Sequence, residues 1–266
     1  MQNPSETLSA REIAALPGLE PLRDAGLVAR FLGRGGGVGT GAFASMNLSD
    51  LVGDNPAHVA ENWRRLRASL PPKLAFAHLR QVHGNEVVVV TRANSDDRPR
   101  ADAMVTREVG IVLGIFTADC VPVLLSAPRE RVCGAMHAGW RGVIAGLAGA
   151  AVRAMSPLGA APGAIRAALG PSIGPCCFEV DRELADRFAE EIPGAGRHRH
   201  EGRPGKAYLD LRAIVRDQLI AAGVAREAIE DLGPCTRCAA EHYFSRRAAG
   251  GAVTGLQLSF VGLAQD

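Results

Sequence analysis

Aromatic side chains are scarce in this chain: phenylalanine, tryptophan and tyrosine together make up 5% of its 266 residues. So few rings leave no stacking platform for single-stranded nucleic acid. A strong charge of either sign is missing too. Thirty basic residues stand against 28 acidic ones, for a formal net charge of +2. That field favours neither a nucleic-acid backbone nor an anionic membrane surface. No apolar run reaches the roughly 18–20 residues of a membrane-spanning helix. The stretch MQNPSETLSAREIAALPGLEP lacks a basic segment followed by an apolar one, so no secretory signal is read there. A cytoplasmic protein is expected. In a reducing compartment its six cysteines serve as free thiols or metal ligands more readily than as disulfides.

What is present is apolar surface, at 47% of residues, distributed over alternating strand-like and helix-like segments. A weak helix is expected over 8–16 and a strand over 27–32. Pro56 at a first helical position and Asn55 as its cap open a helix over 56–69. Two strands follow, with a turn near His83-Gly84-Asn85. GIVLGIFTADCVPVLLSA and RVCGAMHAGW carry buried strands, and a helix is expected over 141–155. AIRAALGP reads as a strand entering a turn. Further helices are expected over 181–190 and over 210–222, the second capped by Asp210. The segment from Tyr243 to Ala264 reads as a closing hairpin. With no repeat and no long linker, the fold class is α/β (α+β).

Several motifs compete for function. GVGTGA (37–42) fits a dinucleotide fingerprint in letters, but FASMNLSD follows it where a helix must open, so the fingerprint is rejected. A loop near a substrate, with Arg34 as its one charged side chain, and a plain surface turn are the two readings that stay open. CTRC (235–238) with His242, and the adjacent pair Cys176-Cys177, are read as structural cysteines outside any metal site, because one C-x-x-C without a second pair is a weak signal and adjacent cysteines rarely share a metal. HRH (198–200) is expected in an exposed loop. The richer set is His83, Cys120 and His137, each at a strand–turn junction where a sheet presents side chains to a cleft. Two imidazoles and a thiolate suit zinc with a fourth position left for water or substrate. A Cys–His nucleophile pair and ordinary core residues stay open as rivals. Within IFTADCVPVLL the strand is expected to end near Ala118, with Pro122 marking the break.

The ordered motifs RGGGV, SMNL, VGDNP, QVHG, ADAMVT, TADCVPVLL, HAGWRG, LGPSIGPCCFEV, LDL and FSRR resemble those of the YfiH family, also called the laccase-domain, multicopper polyphenol oxidoreductase or peptidoglycan editing factor family. The resemblance runs from about residue 27 to 262. It implies a single domain of layered mixed β-sheets flanked by helices over 27–266, after an N-terminal extension at 1–26. It also implies His83, Cys120 and His137 as metal ligands, with zinc as the cofactor and copper as the alternative. Purine nucleoside phosphorylase activity on adenosine, inosine and methylthioadenosine, with adenosine deaminase activity, is the implied function. The alternative is a Cys–His hydrolase editing serine-misincorporated peptidoglycan precursors. A multicopper oxidase needs many more histidines, several in His-x-His pairs, than the seven present here.

On this reading Cys120, Asp119 and Arg141 form the catalytic set. Asp119 serves as proton carrier or ligand-orienting partner. Arg34 and Arg141 hold phosphate, and Gln81 reads the base or orients His83. The expected partners are a purine nucleoside and phosphate, with no nucleic acid and no membrane, and the chain is expected as a monomer. Gly33, Gly39 and Trp63 depart from the family pattern, and the two glycines remove hydroxyls that a phosphate or ribose could use.

Overall fold

The structure, a computed structural model, describes residues 26–264. The extension expected at 1–26, with its weak helix at 8–16, lies outside the described residues except for Gly26. In chain order the first half contains β1 (Leu27–Phe31), α1 (Pro56–Ala68), β2 (Ala75–His78), β3 (Val87–Val89), β4 (Ala103–Thr106), β5 (Ile111–Thr117), β6 (Val121–Ala127), β7 (Val132–Ala138), α2 (Trp140–Ile144) and α3 (Leu147–Met155). The second half contains β8 (Arg166–Leu169), β9 (Glu179–Asp181), α4 (Arg182–Glu191), β10 (Arg199–Glu201), β11 (Lys206–Leu209), α5 (Leu211–Ala221), β12 (Ile229–Asp231) and β13 (Gln257–Leu263).

The strands form a six-stranded mixed sheet in the order β12-β8-β6-β7-β4-β3, a four-stranded mixed sheet in the order β1-β13-β5-β2, and a small antiparallel sheet in the order β10-β11-β9. Side chains alternate across a strand, and here both faces of the central strands are covered. Leu113 and Ile115 of β5 pack with Leu124 of β6 and Ala135 of β7 in a core shared by the two large sheets. Val123 and Leu125 of β6 and Met136 of β7 face the other way, onto Leu147 and Val152 of α3, Phe188 of α4 and Ile214 of α5. Val112 of β5 and Leu258 and Phe260 of β13 meet Leu66 of α1 on the far side. The layers therefore run helix, sheet, sheet, helix. Burial on both faces explains why VPVLLSA and IVLGIFT read as continuous apolar runs without alternation.

Local signals are met at both predicted caps. The Asn55 side chain accepts from the Ala57 N–H at 2.9 Å and the Asp210 side chain from the Ala213 N–H at 3.0 Å. Four expectations are corrected. The helix over 141–155 is two helices, because Gly146 takes a left-handed conformation at φ +77° between α2 and α3. The closing segment is no hairpin: residues 243–256 are turns and loop, and β13 alone pairs, with β1 on one side and β5 on the other. Pro122 does not break the strand but lies inside β6, opposite His137. Its carbonyl accepts from the Gly170 N–H at 2.9 Å, just past the end of β8. The N–H that proline lacks would point to this same side, at the rung where β8 ends, so the ladder with β7 is left intact. Of HRH, His200 lies in β10 and His198 is half-buried against Asp217.

Candidate metal centre

The turn between β5 and β6 carries Asp119 and Cys120. Asp119 has φ +96°, a left-handed conformation uncommon outside glycine, asparagine and aspartate. Its carboxylate secures the turn. One oxygen accepts from the Thr236 hydroxyl at 2.6 Å and the other from the Arg247 backbone N–H at 2.7 Å. Both oxygens of Asp119 are thus engaged with the segment after β12, and its contribution is to seat the next residue, Cys120, at the mouth of the turn.

His83 sits in the loop between β2 and β3, also left-handed at φ +61°. The reason lies across the site. Asp102, immediately before β4 and fully buried, accepts from three consecutive backbone N–H groups, those of Val82 at 3.2 Å, His83 at 2.9 Å and Gly84 at 2.7 Å. The loop wraps a carboxylate, and that curl turns the exposed His83 ring towards His137, with ring centres 4.7 Å apart. The same carboxylate receives His137 Nδ1 at 2.8 Å. His137 stands on β7 beside β4, and its own N–H donates to the Asp102 carbonyl at 2.7 Å. With Nδ1 held, Nε2 is the nitrogen of His137 left for the site. The motif ADAMVT by itself assigns no role to Asp102. The available signal is a lone carboxylate beside the apolar stretch that becomes β4.

The result is one cluster: the donor atoms of His83, Cys120 and His137 all lie within 4.8 Å of one another, with Cys120 Sγ 3.9 Å from His83 Nε2. Two glycines make the approach possible. A Cβ at Gly139 would come within 2.7 Å of His83 Cδ2 and 3.4 Å of Cys120 Sγ, and one at Gly142 within 2.6 Å of the Gly84 carbonyl oxygen. The glycines of HAGWRG are space for the site. Burial would push the Cys120 thiol up, but the facing His137 and His83 rings outweigh it and bring it down to about 6. Burial alone would push His137 down, but Cys120 and Asp102 outweigh it and carry it up to about 9. Burial also works against the Asp102 carboxylate. The His137 imidazole and the Gly84 and His83 N–H groups overcome it and hold the carboxyl below its ordinary range. Two imidazoles and a ready thiolate, one ring oriented by a carboxylate behind it, fit a zinc-type ion with a position to spare.

The trio opens into a cavity of about 520 Å³, lined among others by Phe116, Thr117, Thr254 and Leu256. Leu51 and Val253 stand exposed at its rim. Arg246 is the one arginine or lysine lining it among the described residues. Arg34 does not line it. Its Nε donates to the Ala44 carbonyl at 2.6 Å and its Nη1 to the Ala240 carbonyl at 2.8 Å, with the guanidinium 4.7 Å from the centre of the Phe244 ring. Arg141 lies in the first turn of α2, exposed, 4.2 Å from the centre of the Trp140 ring, and does not line the cavity either. Gln81 does line it, but both ends of its amide clamp Phe116, donating to the carbonyl at 2.7 Å and accepting from the N–H at 2.9 Å.

The glycine-rich segment opens only a single 3₁₀ turn at Gly41–Phe43, as expected of a loop. The cysteines set aside at 176–177 and 235–238 are brought together by the fold into a second cluster, with donor atoms within 4.8 Å of one another. His242 pairs instead with Glu241.

Residues 28–264 match the family described as multi-copper polyphenol oxidoreductase laccase. The chain is similar to the purine nucleoside phosphorylase YlmD of Geobacillus stearothermophilus, 36% identical over 253 residues that cover 91% of this chain and 92% of that protein. It is also similar to the purine nucleoside phosphorylase SCO2081 of Streptomyces coelicolor, 41% identical across 82% of this chain and 88% of that one. The adenosine deaminase RL5 of an unknown prokaryotic organism is 37% identical across 82% and 87% respectively. The crystal structure of YlmD superposes with a TM-score of 0.88, at 34% identity, covering 96% of this chain and 100% of that one.

Proposed function

Because the chain belongs to the multi-copper polyphenol oxidoreductase laccase family, whose relatives are named purine nucleoside phosphorylases and, in one case, an adenosine deaminase, we propose that it is a zinc-dependent purine nucleoside phosphorylase with adenosine deaminase activity. The observation that carries this reading is the convergence of His83, Cys120 and His137 at a cavity that Arg246 also lines. The metal ligands would be Cys120 Sγ, His83 Nε2 and His137 Nε2. A zinc ion there would supply Lewis-acid stabilisation of developing negative charge and a water of pKa near ~7.

The residues do the rest. In phosphorolysis a phosphate oxygen forms a bond to ribose C1′ as the bond from C1′ to purine N9 breaks, and the base leaves with the bonding pair. Arg246 holds the phosphate through charge-assisted hydrogen bonds. Phe116, Leu256 and the rim residues Leu51 and Val253 cover the apolar faces of the purine, and the Thr117 and Thr254 hydroxyls serve its polar edge. In deamination water adds at purine C6 and ammonia leaves. Asp102 keeps the His137 ring fixed throughout. Adenosine, inosine and methylthioadenosine are the substrates of this reading.

A copper oxidase centre is disfavoured by the ligand set: the described residues form one His/His/Cys group and one group made only of cysteines. The shifted Cys120 and His137 favour a second reading, in which metal-free Cys120, its proton taken by His137 as base, attacks an amide or ester carbonyl and His137 returns the proton to the amine or alcohol that leaves. Protein purified without a metal-binding tag, analysed for zinc and copper and assayed with each nucleoside plus phosphate before and after chelation, separates the two. Activity lost on chelation and restored by zinc is expected. Full activity in metal-free protein sinks the first reading.

A further inference from the structure

We propose that Cys176, Cys177, Cys235 and Cys238 form a second metal site, a closed four-thiolate zinc site that locks the segment after β12 onto the turn after β8. The four Sγ atoms lie within 4.8 Å of one another. Cys238 Sγ is 3.6 Å from Cys176 Sγ and 3.4 Å from Cys177 Sγ. Tetrahedral zinc–thiolate bonds of about 2.3 Å place sulfurs roughly 3.8 Å apart, inside the observed spread. A disulfide needs about 2.05 Å, and all four cysteines are free.

Adjacency of Cys176 and Cys177 does not prevent both from binding. The turn is helical in character: the Cys177 and Phe178 N–H groups both donate to the Gly174 carbonyl at 2.9 Å. Consecutive side chains on such a turn diverge by about 100°, whereas on a strand they point to opposite faces. The two segments are held together before any metal arrives. Ser172 and Cys235 form a parallel bridge, and the Thr236 N–H donates to the Ser172 carbonyl at 3.0 Å. A Cβ at Gly174 would lie 3.2 Å from Cys235 Cβ and 3.5 Å from Cys176 Sγ, so this close approach suits a glycine.

Polar donors surround the sulfurs as thiolates require. The Gly174 N–H donates to Cys235 Sγ at 3.2 Å, and Arg237 Nη1 reaches Cys177 Sγ at 3.6 Å. Four thiolates around one divalent ion carry a net negative charge, part of which Arg237 offsets. Four protein donors leave no open position, the mark of a structural rather than a catalytic site.

Its consequence reaches Cys120. The segment it locks carries Thr236 and Arg247, the two partners of Asp119, as well as Arg246 of the cavity. Arg247 also donates to the Cys177 and Glu179 carbonyls at 3.0 Å each. The four-cysteine site thus anchors the segment that seats the turn bearing Cys120.

The test is zinc content per chain in the full-length protein, purified under reducing conditions without a metal-binding tag. Wild type is expected to hold two zinc ions, Cys120→Ala one, Cys238→Ser one, and the double variant none. Cobalt reconstitution of Cys120→Ala should give an intense thiolate-to-cobalt charge-transfer band and tetrahedral visible bands. This readout does not depend on whether Cys238→Ser folds. A single zinc in wild type with none in Cys120→Ala overturns the proposal. So does a native chain two hydrogens lighter than its reduced form, with a disulfide mapped among these four residues.

Discussion

Asp102 Oδ1 lies 2.8 Å from His137 Nδ1, and the same carboxylate gathers the backbone N–H groups of Val82, His83 and Gly84. One buried side chain therefore sets the tautomer of one site histidine and the loop conformation of the other. Asp102→Asn keeps the volume but offers the loop and ring a neutral amide. Zinc affinity at the His83/Cys120/His137 site is expected to fall about 10–100-fold, as for loss of other carboxylate partners of metal-bound histidine. Competition with a chelator of known affinity reads this directly.

Gly139 is the place where the site has no room for a methyl group. In Gly139→Ala the added carbon must displace the His83 ring, which stands 2.7 Å from it. Loss of the trio's metal with little change in the circular dichroism spectrum is expected. Retention of the ion at wild-type affinity would show that His83 is not needed to hold it.

Arg246 rather than Arg34 or Arg141 carries the phosphate in the proposed reaction. Losing a charge-assisted hydrogen bond costs about 1.5–3 kcal/mol, so Arg246→Ala should raise the KM for phosphate by roughly 10–100-fold. Arg141→Ala, whose guanidinium stacks outside on Trp140, should leave it unchanged. Arg34→Ala should lower the melting temperature, because it removes two hydrogen bonds to backbone carbonyls.

His78 supplies a pH dependence away from the His83, Cys120 and His137 cluster. It lies among Trp63, Phe76 and Phe116. Burial, with Arg98 and Arg67 adding to it against the opposing Asp50, pushes its imidazole down to about 4 from an ordinary 6.5. The unfolded chain therefore binds a proton at this residue between pH 6.5 and 4 that the folded chain does not. Stability contributed by the neutral buried ring is intact above pH 6.5 and is lost progressively as the pH falls towards 4. His78→Phe should remove this part of the acid sensitivity. Between pH 7 and 4 the melting temperature of the wild type should fall more steeply than that of His78→Phe.

Much of this was legible in residue order, and the reasons differ by element. Asn55-Pro56 and Asp210 announced their helices because a cap is a local hydrogen bond between neighbours in sequence. The runs around β5, β6 and β7 announced buried strands because burial on both faces removes alternation. The split of 141–155 was less legible, since Gly146 is tolerated inside a helix and only its φ shows the break. The final segment looked like a hairpin because a glycine-rich stretch lies before a clear strand. Its backbone partners, however, are turns and the Gln257 side chain, which holds Phe244 at both its N–H and carbonyl.

By itself the sequence determined the chemistry on offer: two histidines and a cysteine at strand–turn junctions, glycines where something comes close, and a resemblance carried by motifs spread along the chain. Which side chains meet was decided only by the tertiary structure. Asp119 bonds to Thr236 and Arg247 more than a hundred positions away. Cys176 meets Cys238 across 62 positions, and Asp102 meets His137 across 35. Spacing and periodicity report what a residue does to its own turn or strand. These pairs are set by strand register and by the packing of two sheets, where a partner is fixed by position in space and leaves no local pattern.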